Sequence, residues 1–193
     1  MLEDAALDAL FLSARTHYAW QDKPVEEALL SKLYDIVKLG PTSGNCSPMR
    51  LVYVVSHDAK ERLRPCLSKG NIDQTMSAPV TAIVAYDSRF YDFLGHLFPH
   101  KDARPWFTSN EAFARETALR NSSLQGGYLI IAARALGLDC GPMSGFEADR
   151  VDETFLSDTT WRVNFLCNLG YGDRTRTSSR LPRFDARDAC RIV

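Results

Sequence analysis

The chain has 193 residues, 45% of them hydrophobic and 24% charged, with a formal net charge of −1. These are ordinary globular values, with enough length to bury roughly 70% of the unfolded surface in one domain over residues 1–193, and they speak against disordered, collagen-like and coiled-coil classes. The near-neutral charge gives no general attraction to nucleic acid or an anionic membrane, no run of about 18 apolar residues offers a transmembrane span, and the acidic start Met1-Leu2-Glu3-Asp4 is the reverse of a signal peptide, so a cytoplasmic protein is expected.

Leu7, Leu10, Phe11 and Ala14 recur at helical spacing and predict a helix over about residues 4–14. Asp22 and Pro24 look like a helix start, and Val25, Leu29, Leu33, Ile36 and Val37 form an apolar stripe that stops at Gly40. The loop Pro41-Thr42-Ser43-Gly44-Asn45-Cys46-Ser47-Pro48 follows, small hydroxyl and amide side chains held between two prolines that fix φ and stiffen the chain. Residues 51–55 and 80–85 are short apolar runs expected to be central strands covered on both faces, with a short helix capped by Asp58 between them.

Residues 88–109 are aromatic-rich, broken by Gly95, Pro99 and Pro105, and read as a long irregular loop, which inside a compact domain is usually functional. Residues 110–136 contain no proline and predict one long helix, with Gly126-Gly127 marking a close approach of its backbone, most simply by another helix. A second Gly/Pro-bounded loop, 140–146, precedes a short helix over 149–156. The alternation of Trp161, Val163, Phe165, Cys167 and Leu169 with polar residues predicts a strand with one face in the core. From Arg174 onward the tail carries Arg174, Arg176, Arg180, Arg183, Arg187 and Arg191, no lysine, and too little apolar residue to form a core, so it must lie on something, a partner subunit being a reasonable surface.

Sequence signatures of a Rossmann site, a P-loop, a zincin and a nucleophile elbow are absent. The four histidines show no metal spacing, and the five cysteines are odd in number, widely spaced and never in a C-x-x-C pair, so neither a metal site nor a disulfide framework is indicated. Cys46 as an acyl-transfer nucleophile is an alternative. What remains is a set of ligand-shaped pieces: Arg15, the hydroxyl and amide loop, Asn71 and Gln74, the Gly/Ser loop at 141–145, and the basic tail. Together they suit a flat hydrogen-bonding ring at one end and a phosphate at the other, which is the shape of flavin mononucleotide (FMN).

The ordered set of motifs resembles the nitroreductase superfamily over essentially the whole chain. Arg15-Thr16-His17-Tyr18 resembles its flavin-phosphate loop and 40–48 its ring-binding loop; Ala78-Pro79-Val80, Gly141-Pro142-Met143-Ser144-Gly145-Phe146 and Asn168-Leu169-Gly170-Tyr171-Gly172 complete the order. Residues 40–48, Phe98-Pro99-His100 with Asp102-Ala103-Arg104, Arg120-Asn121-Ser122-Ser123 and 141–146 are most similar to a narrower form, the malonic semialdehyde reductases of pyrimidine breakdown. Ser47 and Tyr18 depart from the wider pattern. The resemblance implies an α+β fold with a central, mostly antiparallel sheet flanked by helices, a homodimer built on the long helix, and a C-terminal arm exchanged between subunits. It also implies FMN, with NADPH or NADH as electron donor and a small aldehyde or other acceptor. The expected FMN contacts are Arg15, Thr16, His17, Pro41, Thr42, Ser43, Asn45, Asn71, Gln74, Pro142, Met143, Ser144, Gly145, Arg180 and Arg183. Arg104 is the candidate to orient a substrate carboxylate, a structural ion pair being its alternative. A broad nitro or quinone reductase and a flavin-binding protein without turnover are the competing readings.

Overall fold

A computed structural model describes residues 1–193. The N-terminal helix is α1 (Asp4–Leu7), which widens into a π turn over Asp8–Leu12 and buries none of its residues. α2 (Glu27–Val37) begins later than Pro24 suggests. Because Val25 lies outside the helix it does not set the phase of the stripe, and the buried face is Leu30, Leu33 and Val37, with Ile36 exposed.

β1 (Met49–Val54) leads into α3 (His57–Leu63), then α4 (Ile72–Ser77) and β2 (Val80–Asp87). The cap of α3 is Ser56, whose hydroxyl accepts from the Ala59 amide at 3.2 Å; Asp58 falls inside the first turn. The stretch 88–109 is not irregular. It holds a 3-10 turn (Phe90–Phe93), α5 (Leu94–Leu97) and α6 (Pro105–Thr108), and its Phe90, Leu94, Ala103 and Phe107 are buried in a small third core shared with Cys46, Tyr86, Ala114 and Ala118. Pro105 opens α6 at the position where its missing N–H costs nothing.

α7 (Glu111–Ala135) is started by the Asn110 side chain, which accepts from the Phe113 amide at 3.0 Å. β3 (Asp139–Met143), α8 (Ala148–Phe155), β4 (Trp161–Gly170) and the short α9 (Ala186–Ala189) complete the chain. β3 occupies most of the segment read as a loop. Glycine and proline hide a strand from periodicity, and Pro142 is tolerated because β3 is an outer strand.

The four strands form one sheet in the order β1-β2-β4-β3, every neighbour antiparallel. β2 is central and buried throughout. β1, expected to be central, is an edge strand with residues 50–53 only half buried; a short apolar run does not say how many neighbours it has. β4 is the other central strand, and its second half is buried on both faces rather than one, so Asn168 lies in the interior.

Two cores sandwich the sheet, and β2 shows why. Ala82 and Val84 face α2 and α7 together with Leu33, Leu129 and Ala133, while Ile83 and Ala85 point to the opposite layer of Leu63, Val151 and Leu156. α7 packs on α2 and on all four strands. What approaches its backbone closely is a strand residue, not another helix: a Cβ on Gly126 would stand 2.6 Å from the Phe165 ring of β4, whereas Gly127 faces open space. No helix is long and apolar enough to cross a membrane.

Candidate functional site

The outer edge of β3 gathers most of the predicted residues. Residues 15–20 run beside it: Thr16 bridges Cys140, the His17 amide donates to the Cys140 carbonyl at 3.0 Å, and Trp20 bridges Gly172. Arg15 donates to the carbonyls of Leu12 and Ala14, and Arg180, returning from the tail, donates to the same two and to that of Phe11. Arg134, which the sequence reading missed, donates to the Leu10 carbonyl and lines a cavity of about 350 Å³ with Arg15, His17 and Arg174. None of Arg15, Arg134, Arg174, Arg180 and Arg183 has a carboxylate partner. Partial desolvation first, and then Arg15, Arg183 and Arg134, pull Arg180 below its ordinary value. Asp8 and Asp139 share the cavity lining but face Ser13 and His17 and are salt-bridged to none of these arginines, so the guanidinium groups remain available to an anion.

His17 is buried, its Nε2 lies 3.4 Å from Asp139 and its Nδ1 has no partner. Burial lowers its pKa, against Asp139, so the ring is neutral at pH 7. Gly172 is required beside it, because a Cβ there would stand 2.0 Å from Nδ1.

Further along β3, Asn71 donates to the Gly145 carbonyl at 2.9 Å, Gln74 donates to the Asn71 oxygen at 2.6 Å, and a Cβ on Gly145 would meet Asn71 at 2.5 Å. The two amides therefore fix the turn after β3. Pro142 and Ser144 are left exposed, and Met143 Sδ accepts from Thr75 on the inner side. Below this turn lies a residue the sequence reading did not single out. Lys60 is 4% exposed, and its ammonium donates to the Thr75 carbonyl at 2.9 Å and to Thr81 Oγ1 at 2.6 Å. Thr81 donates on to Asn168, whose amide reaches the Gln74 carbonyl at 3.3 Å. With no carboxylate in reach, burial pulls Lys60 down to about 7.

The Pro41–Pro48 loop sits at the opposite edge, leading into β1. Two side chains from consecutive turns of α7 hold it: Asn121 accepts from the Ser43 amide at 2.9 Å and Gln125 from the Met49 amide at 3.0 Å. Within it the Ser47 amide donates to Thr42 Oγ1, and the Asn45 side chain donates to the Leu97 carbonyl. Gly44, Asn45 and Ser47 have φ of 54°, 50° and 36°, so left-handed backbone is concentrated here. Amides in the middle of a helix were the signal that would have found Asn121 and Gln125. Cys46 is buried and its thiol is pushed up to about 11, mainly by burial, which removes it as a nucleophile near neutral pH. Arg104 is paired to Asp92 at 2.9 Å with its side chain half exposed.

The sheet thus separates the predicted residues into two groups. Arg15, Thr16, His17, Asn71, Gln74, Pro142, Met143, Ser144, Gly145 and Arg180 lie along the β3 edge; Pro41, Thr42, Ser43 and Asn45 lie by β1. Three strand spacings, roughly 14 Å, stand between the edges. Arg183 donates only to nearby carbonyls of the tail.

Comparison with known proteins agrees with this architecture. A family model described as the nitroreductase family matches residues 12–171. A Burkholderia lata protein provisionally named an NADH dehydrogenase/NAD(P)H nitroreductase is 61% identical over 191 residues, covering 99% of this chain and 98% of its own. A Bacillus subtilis nitroreductase structure superposes with a TM-score of 0.88 at 20% identity, covering 99% of this chain and 100% of that one. An Exiguobacterium sibiricum nitroreductase solved in complex with FMN superposes with a TM-score of 0.86 at 20% identity, covering 100% and 99%. At that identity the two structures speak for the fold alone.

Proposed function

The chain belongs to the nitroreductase family, and on that premise we propose that it is an FMN-dependent NAD(P)H oxidoreductase that works as a homodimer. The observation that carries the reading is the cluster of arginines with no salt-bridged carboxylate at one end of the β3 edge, with the Asn71- and Gln74-pinned turn at 142–145 further along the same edge. From Cys140, beside Thr16, to Ser144 is about 13 Å of extended chain, a reach that suits a phosphate at one end and a ring at the other.

Bound FMN would supply two-electron hydride chemistry between NAD(P)H and an acceptor, whose reduction needs one further proton. The chain's own residues bind and orient. Arg15, Arg180 and Arg183 would neutralise the phosphate through charge-assisted hydrogen bonds, with Arg134 and Arg174 at hand. Pro142, Ser144 and Gly145 would lie along the ring from one protomer, and Pro41, Thr42, Ser43 and Asn45 would close on it from the other. The two groups stand on opposite sheet edges, so one protomer cannot clamp a single ring with both.

Malonic semialdehyde, reduced to 3-hydroxypropionate, is the acceptor we propose from the resemblance of residues 98–104, 120–123 and 141–146 to reductases of that aldehyde. A second reading, a broad nitro or quinone reductase, is supported by the aromatic side chains of Trp106, Phe107 and Phe113 beside Ser43 and Gly44. Purified protein should be yellow, bleach on anaerobic NADPH and regain its colour on adding the true acceptor. kcat/KM for malonic semialdehyde against a nitroarene separates the two readings. Arg180→Ala should weaken FMN about tenfold or more; a colourless, monomeric wild type indifferent to FMN would end the proposal.

A further inference from the structure

A pocket of about 290 Å³ opens beside the ring loop, lined by Ser43, Gly44, Phe107, Phe113, Thr117 and Arg120 among others. Phe113, Thr117 and Arg120 come from successive turns of one face of α7, and Phe107 lies parallel to Phe113 with centroids 5.6 Å apart and planes at 5°. A dry cavity of about 150 Å³ accommodates a benzene molecule, so this one has room for a single substituted ring or a short chain with its end groups.

Two of its polar groups have donors left for a ligand. Thr117 is 4% exposed, yet beyond the helix ladder its hydrogen bonding uses only its backbone carbonyl, which accepts from Asn121, leaving the hydroxyl for whatever enters. Arg120 has one partner, Glu116 a turn earlier, and both side chains are more than half exposed, so the pair is weak and most of the guanidinium fork is free. A second cation stands at the rim, Lys101 Nζ lying 4.5 Å from the Trp106 ring. Arg104 does not line this pocket and is engaged with Asp92.

We propose that this pocket selects acceptors that carry a carboxylate, with Arg120 as the anchoring cation, the Thr117 hydroxyl as a second donor, and Phe107 and Phe113 against the apolar body. The assignment rests on the flavin-reductase reading and moves the carboxylate-orienting role from Arg104 to Arg120. It covers both short oxoacids and aryl carboxylates, and it disfavours their neutral analogues.

The test uses the FMN-loaded protein and two unreducible probes of one shape, benzoate and benzamide. Their dissociation constants are read from flavin absorbance and from tryptophan fluorescence, beside KM for 4-nitrobenzoate and nitrobenzene. Arg120→Ala should weaken benzoate about tenfold and raise KM for 4-nitrobenzoate to match, while benzamide, nitrobenzene and flavin reduction by NADPH stay as they were. Arg120→Lys should fall between, Thr117→Val should give a smaller loss, and Glu116→Gln should tighten benzoate by freeing the fork. Equal effects on benzoate and benzamide, or none on either, would overturn the assignment. A wild type that holds no FMN overturns the flavin reading instead, and the fluorescence titration still decides whether the pocket prefers the anion.

Discussion

Lys60 shows how much a single side chain can reveal about a site that it does not touch. Its ammonium is sealed under the turn that Asn71 and Gln74 hold, neutralised by no carboxylate and served by two oxygens. Burial alone pulls it from 10.5 to about 7. Between those values the unfolded chain keeps a proton that the folded chain has released, so stability rises with pH across that window by at most about 1.4 kcal/mol per unit. Below about pH 7 both states are charged and this contribution to the slope vanishes. Lys60→Met removes the titration, and urea unfolding between pH 6 and 10 should give a flatter profile than wild type; an unchanged slope would mean that the ammonium is not desolvated as its burial requires.

At the scale of elements, α7 does most of the organising. Its buried stripe is unlike a simple core helix: Ala114, Thr117, Ala118, Asn121, Ser122 and Gln125 precede the apolar Leu129, Ala132 and Ala133. The small residues bring α7 close to the sheet, and the amides hold the Pro41–Pro48 loop where it enters β1. Gly126 is where that approach is tightest. Alanine there gains about 1 kcal/mol in helix propensity, but its methyl would meet the Phe165 ring at 2.6 Å, and overpacking of this kind costs about 1–3 kcal/mol. Gly126→Ala should therefore lower the unfolding midpoint in urea despite the better helix former, and Phe165→Leu should recover part of the loss. A stabilised Gly126→Ala protein would contradict this packing.

For the whole molecule, the surface left over is the informative part. Leu124, Tyr128 and Ile131 repeat along the outer face of α7 at exposures of 52%, 44% and 37%. The tail also holds Leu181 and Phe184 out at 75% and 86%. An aligned apolar face of this kind is what the proposed dimer would cover. Leu124→Asp should give a monomer by sedimentation and lose FMN with it, because each ring would keep only half of its walls. A dimeric, yellow Leu124→Asp protein would place the interface elsewhere.

The sequence by itself determined the elements with strong local signals: the long helix after Asn110, the apolar β2, the prolines that bound the 41–48 loop, and the arginines at both ends of the chain. It also determined the family, through motifs whose order survives without any contact being known. It left open what depends on neighbours. β3 was hidden by its glycine and proline, the edge position of β1 by its apolar run, the partner of Gly126 by the distance in sequence to Phe165, and the phase of α2 by a valine just outside it. Only the tertiary structure decided that Arg134 joins Arg15, that Asn121 and Gln125 hold the Pro41–Pro48 loop, that Lys60 lies near Gln74, and that Arg104 pairs with Asp92 away from the pocket that Arg120 lines. The reason is physical: propensity and capping act over one turn or one strand, whereas the charge, burial and partners of a side chain are set by residues that only folding brings within a few ångströms.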